Sequence, residues 1–408
     1  MSTEVVATEV KRNDAKSDIV VERRGSAGLI TLNRPKALNA LSLHMVRELL
    51  GILQAWRDDP AVLVVAIRGT NKAGRPGSPE SLFGGFCAGG DIRFFHQAAL
   101  DGGTGLAALD DFFTDEYTLN HLIQTYPKPY IAFMDGVVMG GGMGLCQGVA
   151  PAAPLGKDEG AVRASPSARA QGAKVRIVTE HTRMAMPETN IGLFPDVGGG
   201  YFLSRCPGHA GEYLALTGDV IGADDALRFG LADVKLEAAR LPALWDALAA
   251  QTFNGAAEVD AWIATNLIAF DARIYGAQAE FDTCFSQPAV GQVIRALETA
   301  EDDWARKTAA TLRKRSPLML HVTLEQIRRA RTMTLADDLR MERDMVHHCF
   351  HLRPGATSET VEGIRALAID KDYKPQWLPA RIEEVTPVMV APFFESPWPA
   401  QAHPLRKL

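Results

Sequence analysis

The sequence predicts an α/β protein, and three observations carry that prediction. Short β-branched runs are each followed by a glycine-dense turn and then by a stretch of helical periodicity, the order expected of a sheet with helices packed on it. Near Gly211 this rhythm stops; strand-like runs nearly vanish and helical patterns dominate to about Leu352. The chain, at 408 residues, is long enough to bury one large core beside a smaller appendage.

The elements follow in order. Residues 19–32 alternate apolar and polar side chains around Arg24-Gly25-Ser26-Ala27-Gly28, a hairpin pattern. Helical periodicity over residues 38–56 aligns Leu41, Met45, Leu49, Ile52 and Leu53 on one stripe. Residues 61–68 read as a buried strand. A helix over 91–99 starts directly after the Gly89-Gly90 turn, and a second covers 110–126. Residues 130–134 form another buried strand ending at a glycine turn. From Met143 a further helix begins, and 175–179 is again a strand. Two segments break the rhythm: 71–85, rich in glycine and proline, and 150–173, rich in alanine, proline, serine and charge. Both read as surface loops. Patterns at 259–270 and 302–315 represent the helical region. The predicted organisation is a polar tail over 1–18, a core over 19–210, a mainly helical region over 211–380 and a C-terminal tail over 381–408.

Composition narrows the function. Apolar residues make up 47% and charged residues 23%, ordinary for a globular protein. A net charge of −6 argues against a general nucleic-acid or membrane-surface binder, so an anionic ligand must be met by local cations. No apolar run approaches the roughly 18 residues that span a bilayer. The first residues carry Glu4, Glu9, Asp14 and Asp18 with no apolar centre, unlike a secretion signal or transit peptide, which points to the cytoplasm. Cys87, Cys146, Cys206, Cys284 and Cys349 are odd in number and scattered, as suits reduced thiols.

The chemistry concentrates in Met186-Pro187-Glu188-Thr189-Asn190-Ile191-Gly192-Leu193-Phe194-Pro195-Asp196-Val197-Gly198-Gly199-Gly200, which sets two carboxylates a short loop apart before a triple glycine. Upstream lie the turns Phe86-Cys87-Ala88-Gly89-Gly90-Asp91 and Met139-Gly140-Gly141-Gly142-Met143-Gly144. Glycine allows a backbone approach that a Cβ would block, so two such turns can aim N–H groups at one oxygen. An acid and a base beside two backbone donors are the equipment of acyl transfer.

These motifs, with Leu32-Asn33-Arg34-Pro35-Lys36-Ala37-Leu38-Asn39-Ala40-Leu41, Asp115-Glu116-Tyr117 and Ile369-Asp370-Lys371-Asp372, resemble the crotonase (enoyl-CoA hydratase/isomerase) superfamily. Within it they are most similar to the 3-hydroxyisobutyryl-CoA hydrolases, thioesterases of valine breakdown. The resemblance covers roughly residues 19–377. It implies a crotonase-like spiral of ββα units that holds an acyl-CoA in a cleft, with a helical C-terminal region used for homo-oligomer contacts.

Site roles follow residue by residue from that resemblance. The amides of Gly90 and Gly141 become the oxyanion donors. Glu188 becomes the catalytic carboxylate, attacking the thioester or activating a water, with Asp196 as its partner. Glu116 contacts the acyl group, and Arg34, Lys36 and Arg93 lie where the coenzyme A phosphates would pass. Gly144 stands where hydratases of the family carry a second glutamate, which favours hydrolysis over hydration. An enoyl-CoA hydratase or isomerase on the same fold is the runner-up, and a CoA-binding protein without turnover is the third reading. No metal and no redox cofactor is required; coenzyme A enters as part of the substrate.

Other features weigh less. Cys87 has no histidine placed by motif and reads as a small buried residue. His347, Cys349 and His351 have helical spacing but no recognisable third ligand. The runs Arg313-Lys314-Arg315 and Arg328 to Arg331 read as solvated helix faces.

Overall fold

The computed structural model describes residues 17–71, 83–147, 174–267 and 279–408. The 150–173 loop, and most of the 71–85 loop and the N-terminal tail, lie outside the described residues. A six-stranded sheet runs in the order β1-β2-β3-β4-β6-β8, with β1 (Ile19–Arg24), β2 (Ala27–Leu32), β3 (Val64–Gly69), β4 (Tyr130–Met134), β6 (Lys174–Val178) and β8 (Val234–Lys235). The β1–β2 hairpin is antiparallel and every later pairing is parallel. A second layer pairs β5 (Val137–Met139) with β7 (Arg183–Ala185) and continues through single bridges Leu41–Gly90, Cys87–Val138 and Met184–Ile221. The chain thus gives the main sheet a strand, the second layer a short extended segment and the outside a helix, turn after turn. That is the spiral of ββα units.

Helices α1 (Leu43–Asp58), α2 (Ile92–Asp101) and α3 (Gly103–Gln124) follow the first strands, and α4 (Gly141–Gly144) is a single turn after β5. Beyond β7 come α5 (Gly199–Leu203), α6 (Ala210–Thr217), α7 (Ala223–Arg228), α8 (Leu241–Ala249) and α9 (Ala256–Asn266). The C-terminal layer holds α10 (Ala279–Phe285), α11 (Val290–Thr299), α12 (Asp303–Leu312), α13 (Pro317–Ala330), α14 (Leu335–His351) and α15 (Glu359–Ile364).

The central strands are apolar along almost their whole length because both faces are covered, as parallel strands require. One face packs Ile30, Val65, Ile67, Ala132 and Met134 into the main core. The other packs Leu29, Ala66, Ile131, Phe133 and Ile177 against Trp245 and Leu248 of α8 and Val259 and Ile263 of α9.

Several sequence expectations change. The helix expected from Met143 is, among the described residues, the single turn Gly141–Gly144, and the one expected over 110–126 begins at Gly103. The helix expected from residue 38 starts at Leu43, because Leu38 and Asn39 take left-handed φ of 53° and 57° and Ser42 caps the helix from Met45 N at 3.2 Å. The Asn39 amide then donates to Thr70 O, Gly85 O and Phe86 O, lashing three loops together. The core does not end at residue 210: β8 adds to the main sheet and α8 and α9 cover its face. A two-residue strand is too short to leave a periodic signal. The 381–408 segment is packed on α14, where Ser396 Oγ donates to Asp344 at 2.8 Å and Arg340 Nε to Leu405 O at 3.2 Å.

Candidate active site

Both glycine turns and all three predicted carboxylates line one cavity of about 210 Å³, walled on its apolar side by Phe95, Phe113, Ile191, Leu193 and Leu367. Gly90 sits just ahead of α2, and Gly141 follows β5. Glu116 projects from α3, Glu188 opens a 3-10 turn after β7, and Asp196 stands in the loop before α5.

The two turns touch: a Cβ on Gly89 would lie 3.4 Å from Gly141 N, and one on Gly141 would lie 3.4 Å from Gly90 N. Neither the Gly90 nor the Gly141 N–H donates to any group among the described residues. Two unspent backbone donors at one cavity wall are what an oxyanion needs. The helix after Gly141 is one turn among the described residues, so these amides act as individual donors with little macrodipole behind them.

The carboxylates press on the same backbone. A Cβ on Gly140 would come within 2.8 Å of Glu188 Oε1, and one on Gly141 within 2.6 Å of Glu116 Oε1. Burial pushes Glu188 well above the ordinary glutamate range, and the Asp196 charge adds to it. Glu116 is raised well above it too, by burial first and then by Asp196 and Glu188. Asp196 is pushed up to about 6 by burial, against the hydrogen bond from Tyr117 and its own backbone. Glu116 Oε1 and Glu188 Oε2 are buried and have no hydrogen-bond partner among the described residues. Three buried acids that repel one another hold fewer than three negative charges, so the cavity keeps at least one proton that can pass among them.

The remaining predicted residues fare differently. Arg34 is spent on Asp91 at 2.8 Å and on Ala40 O at 2.9 Å, which ties its loop to the residue that caps α2. Lys36 and Arg93 have exposed side chains. At Gly144 a Cβ would fall 2.5 Å from Asn120 Nδ2 and 2.7 Å from Val197 Cβ, so that volume is filled. Cys87 is buried, its thiol pushed up to about 12, with its Sγ donating to Asn39 O at 3.2 Å. His347 and His351 do gain a third neighbour, Asp110, with nitrogen and oxygen atoms within 4.8 Å of one another. The buried Arg343 guanidinium already holds that carboxylate at 2.7 Å, so a divalent ion there would meet a positive charge.

Tyr117 was legible only as part of a motif; its hydroxyl donates to Asp196 Oδ2 at 2.8 Å. Asn120, one turn beyond Glu116, is fully buried, and neither of its side-chain polar atoms has a partner among the described residues. A buried polar stripe at i and i+4 could have been noticed, but on a helix it looks like a solvated face until the packing is known.

The chain belongs to the enoyl-CoA hydratase/isomerase (crotonase) family, whose pattern matches residues 27–151 and 169–394. Within that family its relatives include the probable 3-hydroxyisobutyryl-CoA hydrolase 3 of Arabidopsis thaliana, 36% identical over 93% of this chain and 92% of that protein. The mitochondrial 3-hydroxyisobutyryl-CoA hydrolase of Gallus gallus is 35% identical over 92% of this chain and 88% of its own. Among solved structures, a carnitinyl-CoA dehydratase from Mycobacterium thermoresistibile superposes with a TM-score of 0.76 at 34% identity, covering 96% of this chain and 99% of that one.

Proposed function

We infer that this protein hydrolyses the thioester of 3-hydroxyisobutyryl-CoA, releasing 3-hydroxyisobutyrate and free coenzyme A. The observation that carries the reading is the pair of unspent amides, Gly90 and Gly141, on a cavity shared with Glu188, Asp196 and Glu116. A thioester carbonyl placed there gains negative charge on attack, and each fixed donor lowers that barrier by on the order of 3 kcal/mol. Ionised Glu188 delivers the attack, through water or directly. Through water, it takes the water's proton as the hydroxide adds to the carbonyl, the carbon–sulfur bond breaks and that proton passes to the departing thiolate. Directly, the thiolate leaves with a proton from a neighbouring acid; water then cleaves the resulting anhydride, which frees 3-hydroxyisobutyrate and restores the Glu188 carboxylate. Asp196 orients the water and passes protons. Glu116, as a neutral buried acid, can donate to or accept from the β-hydroxyl. The exposed Lys36 and Arg93 are the cations we propose for the coenzyme A phosphates.

Hydration is the reading suggested by the dehydratase likeness. It lacks its second glutamate, and Asn120 and Val197 fill the space where that side chain would start.

A thiol-reactive dye separates the two, because hydrolysis frees a thiol and hydration does not. Short-chain acyl-CoAs with and without a β-hydroxyl are the panel. Glu188→Gln should cut kcat for thiol release by about 10²- to 10⁴-fold. Undiminished release by that variant would sink the assignment.

A further inference from the structure

The loop that carries Asp196 is gripped by two helices from the far end of the chain. Gln326 of α13 donates through Nε2 to Pro195 O at 2.6 Å, one residue before Asp196. Glu342 of α14 accepts from Gly198 N at 2.7 Å and from Gly200 N at 2.9 Å, on the other side. Gln326 Nε2 also reaches Glu342 Oε1 at 3.1 Å, closing the grip into one network. One turn earlier on α14, Asp338 accepts from Tyr201 N at 2.8 Å. The triple glycine fits this arrangement: Gly198 has a φ of 84°, and a Cβ on Gly200 would strike Asp338 Oδ1 at 2.3 Å.

Packing alone does not account for Glu342. It is fully buried, and among the described residues its partners are the Gly198 and Gly200 amides, the Gln326 side chain and the Asp338 carboxyl, with no lysine or arginine. A buried carboxylate without a cation is costly, and apolar residues of similar size usually fill such space at no loss of stability. Burial and the neighbouring Asp338 raise the proton affinity of Glu342, and what the group supplies is two acceptor oxygens for two donors of one loop, a bracket that a single amide oxygen cannot match.

We propose that Glu342, together with Gln326, is a positioning residue that fixes the Asp196 carboxylate relative to the thioester by clamping its loop on both sides. The C-terminal helices thereby complete the active site. This rests on the catalytic reading of Asp196 given above.

The test uses the full-length protein and thiol release from 3-hydroxyisobutyryl-CoA, read well below each variant's unfolding temperature. Glu342→Gln and Gln326→Met should each lower kcat by about 10- to 100-fold, as a small misplacement of a catalytic group does, with KM nearly unchanged. On an Asp196→Asn background the same substitutions should cost less than about twofold, since the group they position is gone. Equal losses on both backgrounds, or no loss in kcat, overturn the proposal. Should Asp196→Asn itself leave kcat intact, the catalytic reading of Asp196 fails, a result distinct from failure of the clamp alone. Amide hydrogen exchange gives a readout free of activity. Faster exchange confined to residues 195–203 supports the clamp, whereas faster exchange across β2, β3 and β4 as well marks general loosening and overturns it.

Discussion

Two of the places where this molecule buries carboxylates treat them in opposite ways. Asp233, just before β8, is 6% exposed and receives the Arg176 guanidinium at 2.8 and 3.0 Å, plus the Arg176 backbone N–H at 2.9 Å. Glu116, Glu188 and Asp196 are buried to the same degree, yet no cation among the described residues lines their cavity. At the sheet edge the charge is neutralised and the pair joins β6 to the segment entering β8. In the cavity the acids repel one another, their proton affinities rise, and two oxygens have no partner among the described residues. A protein tolerates that expense where the chemistry uses it. At the sheet edge the ion pair serves the scaffold; in the cavity the lack of a cation serves the chemistry.

The largest effect should come from breaking the scaffold pair. Asp233→Ala leaves a buried guanidinium without its carboxylate and should destabilise the fold by about 3–5 kcal/mol in denaturant unfolding. At low temperature, the surviving folded fraction should turn over substrate at the normal rate.

Next in size is Asp196→Asn, which should reduce kcat by about 100-fold, on the order of 3 kcal/mol. It also removes the charge that helps raise Glu188, so the acid limb of the pH–rate profile should move to lower pH. A limb that stays put or climbs would contradict the electrostatic account of the cavity.

The smallest effect inverts the sign. Glu188 binds its proton more tightly in the folded chain than in the unfolded one, where its pKa is about 4.3. Stability therefore falls as pH rises above that value, because the unfolded state releases the proton first. Neutral Glu188→Gln escapes this penalty. Its melting temperature should exceed that of the parent by about 1–3 °C at pH 8 and match it at pH 4, as calorimetry can establish.

Much of the architecture was readable from residue order. Strand β4 fell on its expected residues because a fully buried parallel strand is a bare apolar run between turn signals. Glu188, Asp196 and the glycine turns stood out because their spacing is local. The end of the core was misplaced, since β8 has only two residues and its partner β6 lies far back in the chain. Arg34 was expected to face a phosphate; its 2.8 Å contact with Asp91, 57 residues on, which ties its loop to the start of α2, was not legible from local pattern.

Local pattern, then, specified the α/β class, the turns that expose backbone amides and the identity of the acids, because each depends on neighbours a few residues away. Folding in three dimensions decided the rest. It set which acids lose their water and which find a cation. It also placed Tyr117 on Asp196 and Glu342 on the loop 142 residues before it. Desolvation and charge pairing are properties of surroundings, and the surroundings of a residue are written across the whole chain.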